Sequence, residues 1–117
     1  MGAKQGGRKD IMSRVTTEKI LCAAIWFDDG IVHAHQPINI EIGIVYMGFR
    51  HCNCFASVGG LVRERIAAGI EEKEQGFLTN YNRFVGRKEA LVIALKENQV
   101  LDINNIRGNI LYSEDLY

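Results

Sequence analysis

Residues 75–90, QGFLTNYNRFVGRKEA, combine side chains that suit a phosphate-bearing or nucleotide-like ligand. Arg83 and Arg87 flank the predicted start of a helix, where backbone N–H groups and the helix dipole attract anions. Arginine also binds phosphate through two parallel hydrogen bonds. Phe84 and Tyr81 offer rings on which a base can stack. The segment therefore predicts ligand capture, and a surface turn with solvated arginines is the alternative explanation of the same residues.

A second polar and aromatic cluster, GFRHCNC, occupies residues 48–54 upstream of the first. Arg50 would add a cation and His51 a polar ring, and Arg107 is a further candidate cation. Taken singly, these arginines are better explained as solvent-facing side chains. Taken together, the two clusters suggest one site for a small ligand and contain no catalytic signature.

His51, Cys52 and Cys54 suggest two other chemistries. Thiolates and imidazoles bind zinc, but a tetrahedral site needs four ligands, usually at wider spacing. A thiol beside a histidine can act as a nucleophile, yet no third group that would orient the pair is identifiable. Small buried thiols next to a polar histidine explain the residues better. We therefore expect no metal, no cofactor and no catalytic residue.

The composition fits one small domain that handles a small ligand better than a polymer. The chain has 117 residues, a formal net charge of +0 and a pI near 6.8. Affinity for a nucleic acid polymer comes mainly from many Lys and Arg contacts to phosphates, so this balance argues against such a partner. It also favours self-association into a homo-oligomer. Three cysteines make a poor disulfide framework and indicate a reducing, cytoplasmic setting, and no membrane segment is evident.

The pattern of apolar residues predicts an α+β fold, with a mostly antiparallel sheet and two main helices in a single small domain. Residues 1–14 are expected to form a flexible basic arm and residues 15–117 one ligand-binding domain. Asp28-Asp29-Gly30 is expected to join a first strand to a second in a hairpin. The remaining predicted elements are strands at 31–35, 38–42, 44–49 and 109–112, a helix over 58–70 that ends at EEKEQ, a hairpin over 77–85, and a helix from Gly86 to about Asn98.

Three segments and the helix between them carry a resemblance to a known family; the segments are GFRHCNC, GFLTNYNRFVGRKEA and the terminal LYSEDLY. Over roughly residues 18–117, the chain resembles the phage anti-Thoeris proteins of the first type. Proteins of that family bind the cyclic ADP-ribose isomers made by bacterial TIR-domain immune enzymes and hold them without cleavage. Members are also described as oligomers that bind cyclic trinucleotides of CBASS. The resemblance implies immune evasion in the cytoplasm of the infected host, by a homo-oligomer such as a dimer or hexamer.

The same resemblance implies roles for individual residues. Arg83 and Arg87 would bind the pyrophosphate, Phe84 would stack on adenine, and Asn82 would contact the ribose or the base. Arg50 and His51 would approach the ligand from the upstream cluster. Two alternatives stay open: a nucleotide-acting enzyme that uses His51 with a neighbouring cysteine, and a phage protein-interaction module with no small ligand.

Overall fold

The computed structural model describes residues 17–56 and 71–117 of the chain. Four strands form one antiparallel sheet in the order β2-β1-β3-β4: β1 (Ile20–Asp28), β2 (Ile44–Gly48), β3 (Glu71–Thr79) and β4 (Phe84–Gly86). Residues 51–56 are helical (α1), and a second helix, α2, spans Arg87–Lys96. Two 3-10 turns follow, at Ile103–Asn105 and Ser113–Asp115. The predicted α+β class with a mostly antiparallel sheet is confirmed.

Alternation along the strands places apolar side chains on both faces of the sheet. The larger cluster lies on the face that packs against α2, called here the α2 face: Ile20, Ala23, Ile25, Phe27, Cys54, Phe77, Val85, Ala90, Leu91, Ala94, Leu111 and Leu116. The smaller cluster lies on the opposite face, called the loop face because Ile40 of the β1–β2 loop packs on it: Ala24, Val45 and Phe84, with Trp26 and Leu78. The sheet is therefore covered on both sides, which explains why β1 is apolar in both directions.

The predicted strands at 31–35 and 38–42 are wrong, and so is the hairpin that would have joined β1 to them. The turn itself forms, because Gly30 adopts a φ of +72° and the Asp28 carboxylate accepts a hydrogen bond from its N–H group. Beyond it the chain makes only an isolated bridge between Val32 and Gly43. Ile38 is 73% exposed, so its alternation with polar residues does not mark a buried strand face.

Side-chain amides of this loop take the place of strand pairing at both edges of the sheet. Gln36 Oε1 accepts a hydrogen bond from Val45 N in β2 at 2.8 Å. Asn39 both accepts from Phe84 N at 2.8 Å and donates to Phe84 O at 2.6 Å. Backbone groups that an edge strand would leave open are thus satisfied within the chain, as natural sheets commonly arrange.

The segment EEKEQ was expected to end a helix, and this prediction is wrong. Glu71–Gln75 form the first half of β3 and pair with β1, so long-range pairing overrides local preference. The hairpin over 77–85 is confirmed, since β3 and β4 pair through Phe77 and Val85. The predicted edge strand at 109–112 is wrong. Leu111 N instead donates a single hydrogen bond to Arg87 O at 3.0 Å.

The helix α2 begins after Gly86 as predicted but differs in its details. Gly86 has no side-chain cap, and Glu89 does not form a capping box with it. The Glu89 carboxylate instead accepts a hydrogen bond from Arg83. Leu91 and Ala94 are buried, whereas Leu95 is 41% exposed. The predicted helix over 58–70 and the predicted arm over 1–14 lie outside the described residues.

Candidate functional site

The C-terminal segment, residues 111–117, brings Arg50, His51 and Arg87 of the sequence prediction together. Leu111 and Leu116 anchor this segment in the core of the α2 face. Its last turn is held by Asp115 Oδ2, which accepts a hydrogen bond from Tyr112 N at 2.9 Å. The segment thereby links the start of α1 to the start of α2, which are distant in sequence.

Arg87 is fixed against this segment by three contacts. Nη1 donates to Leu111 O and Nη2 donates to Gln75 Oε1, each at 2.8 Å. Its guanidinium carbon lies 4.9 Å from the centroid of the Tyr112 ring. Burial lowers the pKa of Arg87, and Tyr112 and Glu114 act in the opposite direction. Arginine stays charged under such conditions, so a half-buried cation is held in place here.

Two further arginines contact the same segment. The guanidinium carbon of Arg107 is 4.8 Å from the Tyr112 ring centroid, so one ring contacts two cations. Arg50 donates from Nη2 to the carbonyl of Tyr117. A hydrogen bond from its own backbone N–H lowers the pKa of Glu114 most, and Ser113, Arg50 and Arg107 lower it further. Glu114 therefore lies within electrostatic reach of both arginines.

The aromatic and acidic members of this cluster were not predicted from the sequence. Tyr112 sits in the terminal LYSEDLY, which we singled out only for its resemblance. Arg107 was noted as a cation without a partner. The local signal is a turn, since an isolated bridge joins Arg107 to Ile110 and Tyr112 follows two residues later. The burial of Leu111 fixes the backbone next to Tyr112, whose ring the two guanidinium groups contact.

His51 is a structural residue in the described contacts. It is buried, and Nε2 lies 2.7 Å from Gly76 O, so this nitrogen carries the hydrogen. Nδ1 faces the Ser113 hydroxyl at 3.4 Å, and the ring edge contacts Phe77. Burial lowers the pKa of His51, the hydrogen bond to Gly76 raises it, and the positive charge of Arg87 lowers it. The neutral imidazole therefore joins α1, β3 and the C-terminal segment.

This burial predicts acid sensitivity of the fold. The pKa of folded His51 lies below its ordinary value of 6.5, so the unfolded chain binds the proton more tightly. The contribution of His51 to the free energy of unfolding is therefore fully present above about pH 6.5. It is lost as the pH drops below that value, by at most about 1.4 kcal/mol per pH unit. We expect His51→Gln, which cannot titrate, to remove this decline in thermal denaturation between pH 7 and pH 5.

His35→Asn is the matched control for that experiment. His35 is exposed and adopts a φ of 61°, a conformation that asparagine tolerates. The His35→Asn variant should lose stability between pH 7 and pH 5 as the wild-type protein does. The pKa values of Glu18 and Glu114 are lowered from their ordinary value of 4.5, so these carboxylates change the free energy of unfolding only below the range from pH 7 to pH 5. A decline of equal slope in His51→Gln would show that His51 is not its source.

Asn82, Arg83 and Phe84 lie at the other end of the β3–β4 hairpin and contact different partners. Asn82 is exposed on the turn with a φ of 58°. Phe84 is 5% exposed on the loop face, with its ring 6.0 Å from Trp26 in an edge contact. The structure thus does not bring these three residues to the C-terminal segment.

Arg83 is neutralised by two carboxylates. Nε and Nη2 donate to the two oxygens of Glu18 at 2.8 Å each, and Nη2 also donates to Glu89 at 2.7 Å. These contacts raise the pKa of Arg83, with the bond to Glu18 as the largest cause. A phosphate at Arg83 would have to compete with both acids.

An open cleft of about 490 Å³ lies at the start of α2, lined by Glu74, Gln75, Gly86, Arg87, Lys88, Glu89 and Ile110. The Glu74 carboxylate rests directly against Gly86, so closely that a Cβ on Gly86 would clash with it. A negative charge already occupies the position that the helix dipole favours for an anion. An anion would therefore meet less competition at the guanidinium groups that contact the C-terminal segment than at the backbone N–H groups of the helix start.

Cys22 and Cys54 offer little nucleophilic character. Burial raises the pKa of Cys54 to about 11 and also raises that of Cys22. Both ring nitrogens of His51 face Gly76 and Ser113, and neither faces a thiol. Within residues 17–56 and 71–117, no group of three His, Cys, Asp or Glu side chains is arranged to hold a metal ion. Over the same ranges, no helix has the length and apolar character needed to cross a membrane.

Three arginines thus contact a docked C-terminal segment. A profile of the phage T4 y16D protein family matches residues 19–117, which include the whole described sheet, α2 and the C-terminal segment. No curated protein and no solved structure matched the chain. Because the match covers most of its length, the chain is a phage protein that belongs to the phage T4 y16D protein family.

Proposed function

We propose that this phage protein binds a small cyclic nucleotide of the cyclic ADP-ribose type and sequesters it without cleavage. The observation that carries the proposal is a cluster of arginines and the absence, in the described part of the chain, of acidic partners paired with them. Arg50, Arg87 and Arg107 adjoin the C-terminal segment, and among the described residues none of them forms an ion pair with an Asp or Glu side chain. Three arginines in one place, with Glu114 within electrostatic reach but paired with none of them, suit a pyrophosphate.

The contacts of these arginines support capture with little reorganisation. Arg87 is held by a carbonyl and an amide oxygen, and Arg50 by a carbonyl, so their orientations are set before a ligand arrives. Guanidinium groups have five N–H donors, so each keeps free donors for phosphate oxygens. Preorganisation of this kind reduces the entropy lost on binding. Cyclic trinucleotides of CBASS carry the same phosphate chemistry and form the second ligand class of the proposal.

Sequestration is favoured over the enzyme alternative by the partners of His51 and by the state of Cys54, one of its two candidate nucleophiles. Both ring nitrogens of His51 face Ser113 and Gly76, so neither is directed at Cys52 or Cys54, and the Cys54 thiol, with a pKa of about 11, is protonated at neutral pH.

The interaction-module alternative would use a sheet edge or helix faces, and the sheet edges offer it little because Gln36 and Asn39 already satisfy edge groups of β2 and β4. We propose a homo-oligomer, dimer or hexamer, in the cytoplasm of the infected host.

The test is to incubate the protein with cyclic ADP-ribose isomers, remove it by filtration and then heat it. We expect the ligand to disappear from the filtrate and to return intact after heating. Arg107→Gln should weaken binding about tenfold or more, since a hydrogen bond to a charged group contributes about 1.5–3 kcal/mol. Lys19→Gln, which removes one exposed positive charge elsewhere, should bind as the wild type does.

Other outcomes would redirect the proposal. Ligand recovered as a cleavage product would favour the nucleotide-acting enzyme. No depletion, together with a stoichiometric host protein in a pull-down, would favour the interaction module. Loss of binding in Arg83→Gln but not in Arg107→Gln would place the ligand at the hairpin, as the sequence resemblance implies. Light scattering with and without ligand measures the oligomeric state.

A further inference from the structure

We infer that Phe49, backed by Tyr117, is the surface on which a nucleobase of the ligand stacks, an inference that rests on the proposed function. The two rings are stacked, with centroids 4.1 Å apart and planes inclined by 28°. Phe49 is nevertheless 56% exposed. Because Tyr117 covers one face of the Phe49 ring, the exposed surface belongs to the opposite face and the edges.

Tyr117 is held at both ends and so forms a fixed support. Its hydroxyl donates to Leu21 O at 3.0 Å. Its carbonyl accepts a hydrogen bond from Arg50 Nη2. An aromatic ring that is ordered before binding loses little conformational entropy when a base stacks on it. A single exposed phenylalanine is ordinary on a protein surface, so the position of its neighbours decides its role.

Those neighbours are the cations of the proposed phosphate site. The guanidinium carbon of Arg50 lies 5.7 Å from the Phe49 ring centroid. Arg50 also donates to the main-chain oxygen of Tyr117, and Arg107 lies 4.8 Å from the ring centroid of Tyr112 in the same C-terminal segment. The stacked rings and the arginines therefore share one surface, built by residues 49–50 and the C-terminal segment. An aromatic face next to guanidinium groups is the pairing that a nucleotide requires.

The other aromatic candidates are less suitable. Phe84 is buried on the loop face, where it contacts Trp26. The Tyr112 ring is contacted by two guanidinium groups, at 4.9 and 4.8 Å, both closer than the single guanidinium 5.7 Å from the Phe49 centroid. Tyr81 is 36% exposed but lies on the hairpin turn, beside Thr79 and away from the arginine cluster. Phe49 combines exposure, a rigid backing and adjacent positive charge.

The experiment compares a ligand that carries a base with one that does not. Isothermal titration would measure binding of cyclic ADP-ribose and of inorganic pyrophosphate to wild-type protein, Phe49→Leu and Phe49→Tyr. We expect Phe49→Leu to lose about tenfold in affinity for cyclic ADP-ribose while pyrophosphate binding stays unchanged. Phe49→Tyr, which keeps an aromatic face, should retain wild-type affinity. Near-UV circular dichroism would verify the fold of each variant.

Each result supports or overturns the inference. Unchanged affinity of Phe49→Leu for cyclic ADP-ribose, or an equal loss for both ligands, would overturn it while leaving the proposed function standing. If pyrophosphate alone is too weak to measure, the contrast between the leucine and tyrosine variants decides. A change of oligomeric state in Phe49→Leu without a change of affinity would assign the ring to a contact between copies. Absence of binding by the wild type would overturn both proposals.

Discussion

Gly76→Ala is expected to destabilise the fold severely. A Cβ at this position would clash with the backbone carbonyl of Val85 in β4 and would lie 2.9 Å from the end of the Phe84 ring. A backbone atom cannot turn aside as a flexible side chain can, so β4 would have to leave β3. The carbonyl of Gly76 also accepts the hydrogen bond from His51, which the same displacement would break.

We expect the free energy of unfolding to fall by more than about 4 kcal/mol, a large part of the ~5–15 kcal/mol that stabilises a typical domain. Urea denaturation, or the soluble fraction if no folded protein remains, would measure it. Gly30→Ala is the matched control. No atom lies within 4 Å of a Cβ there, and only the φ of +72° opposes the change. Its cost should be about 1–2 kcal/mol. Equal stability of the two variants would contradict the close approach of β4 to Gly76.

Arg87→Ala is expected to weaken both the fold and the proposed ligand site. The variant loses the donors to Leu111 O and Gln75 and the contact with the Tyr112 ring. Hydrogen bonds from a charged donor contribute about 1.5–3 kcal/mol, and a cation over an aromatic ring adds about 0.5–1 kcal/mol. Because Arg87 is only half-buried, water replaces part of these contacts in the variant, so we expect a loss of about 2–3 kcal/mol in chemical denaturation. We also expect release of cyclic ADP-ribose into the filtrate.

Arg87→Lys separates the two effects. Lysine restores the charge but cannot reproduce the two divergent hydrogen bonds of the guanidinium fork. It should recover a smaller part of the stability than of the ligand affinity. If Arg87→Ala lost less than about 0.5 kcal/mol, the contacts with the C-terminal segment would not be holding that segment in place.

The β3–β4 hairpin and the start of α2 were predictable because their signals are local. Asn82, at positive φ, turns the chain, and Gly86 precedes the helix. The loop between β1 and β2 was not predictable by the same means. Its isoleucines alternate with polar residues as in a strand, but Gln36 and Asn39 bond to β2 and β4 through side chains, which alternation does not reveal.

The candidate site was also predictable only in part. Residue type and spacing singled out Arg50, His51 and Arg87, and the C-terminal segment brings them together. Charge partners are set by tertiary structure, so the sequence could not show that Arg83 is the arginine that two carboxylates neutralise. Nor could it distinguish Phe84 from Phe49, because which ring is buried depends on how the loop covers the sheet.

Trp26 is the one tryptophan of the chain, and its position determines what intrinsic fluorescence can report. Its indole N–H donates to Ile42 O at 2.9 Å, and Lys73 lies over the ring. These contacts are on the loop face, whereas the C-terminal segment packs on the α2 face. Tryptophan emission is therefore a built-in probe of the β1–β2 loop. A ligand seated beside Arg107 would leave that emission unchanged unless it moved the sheet between them.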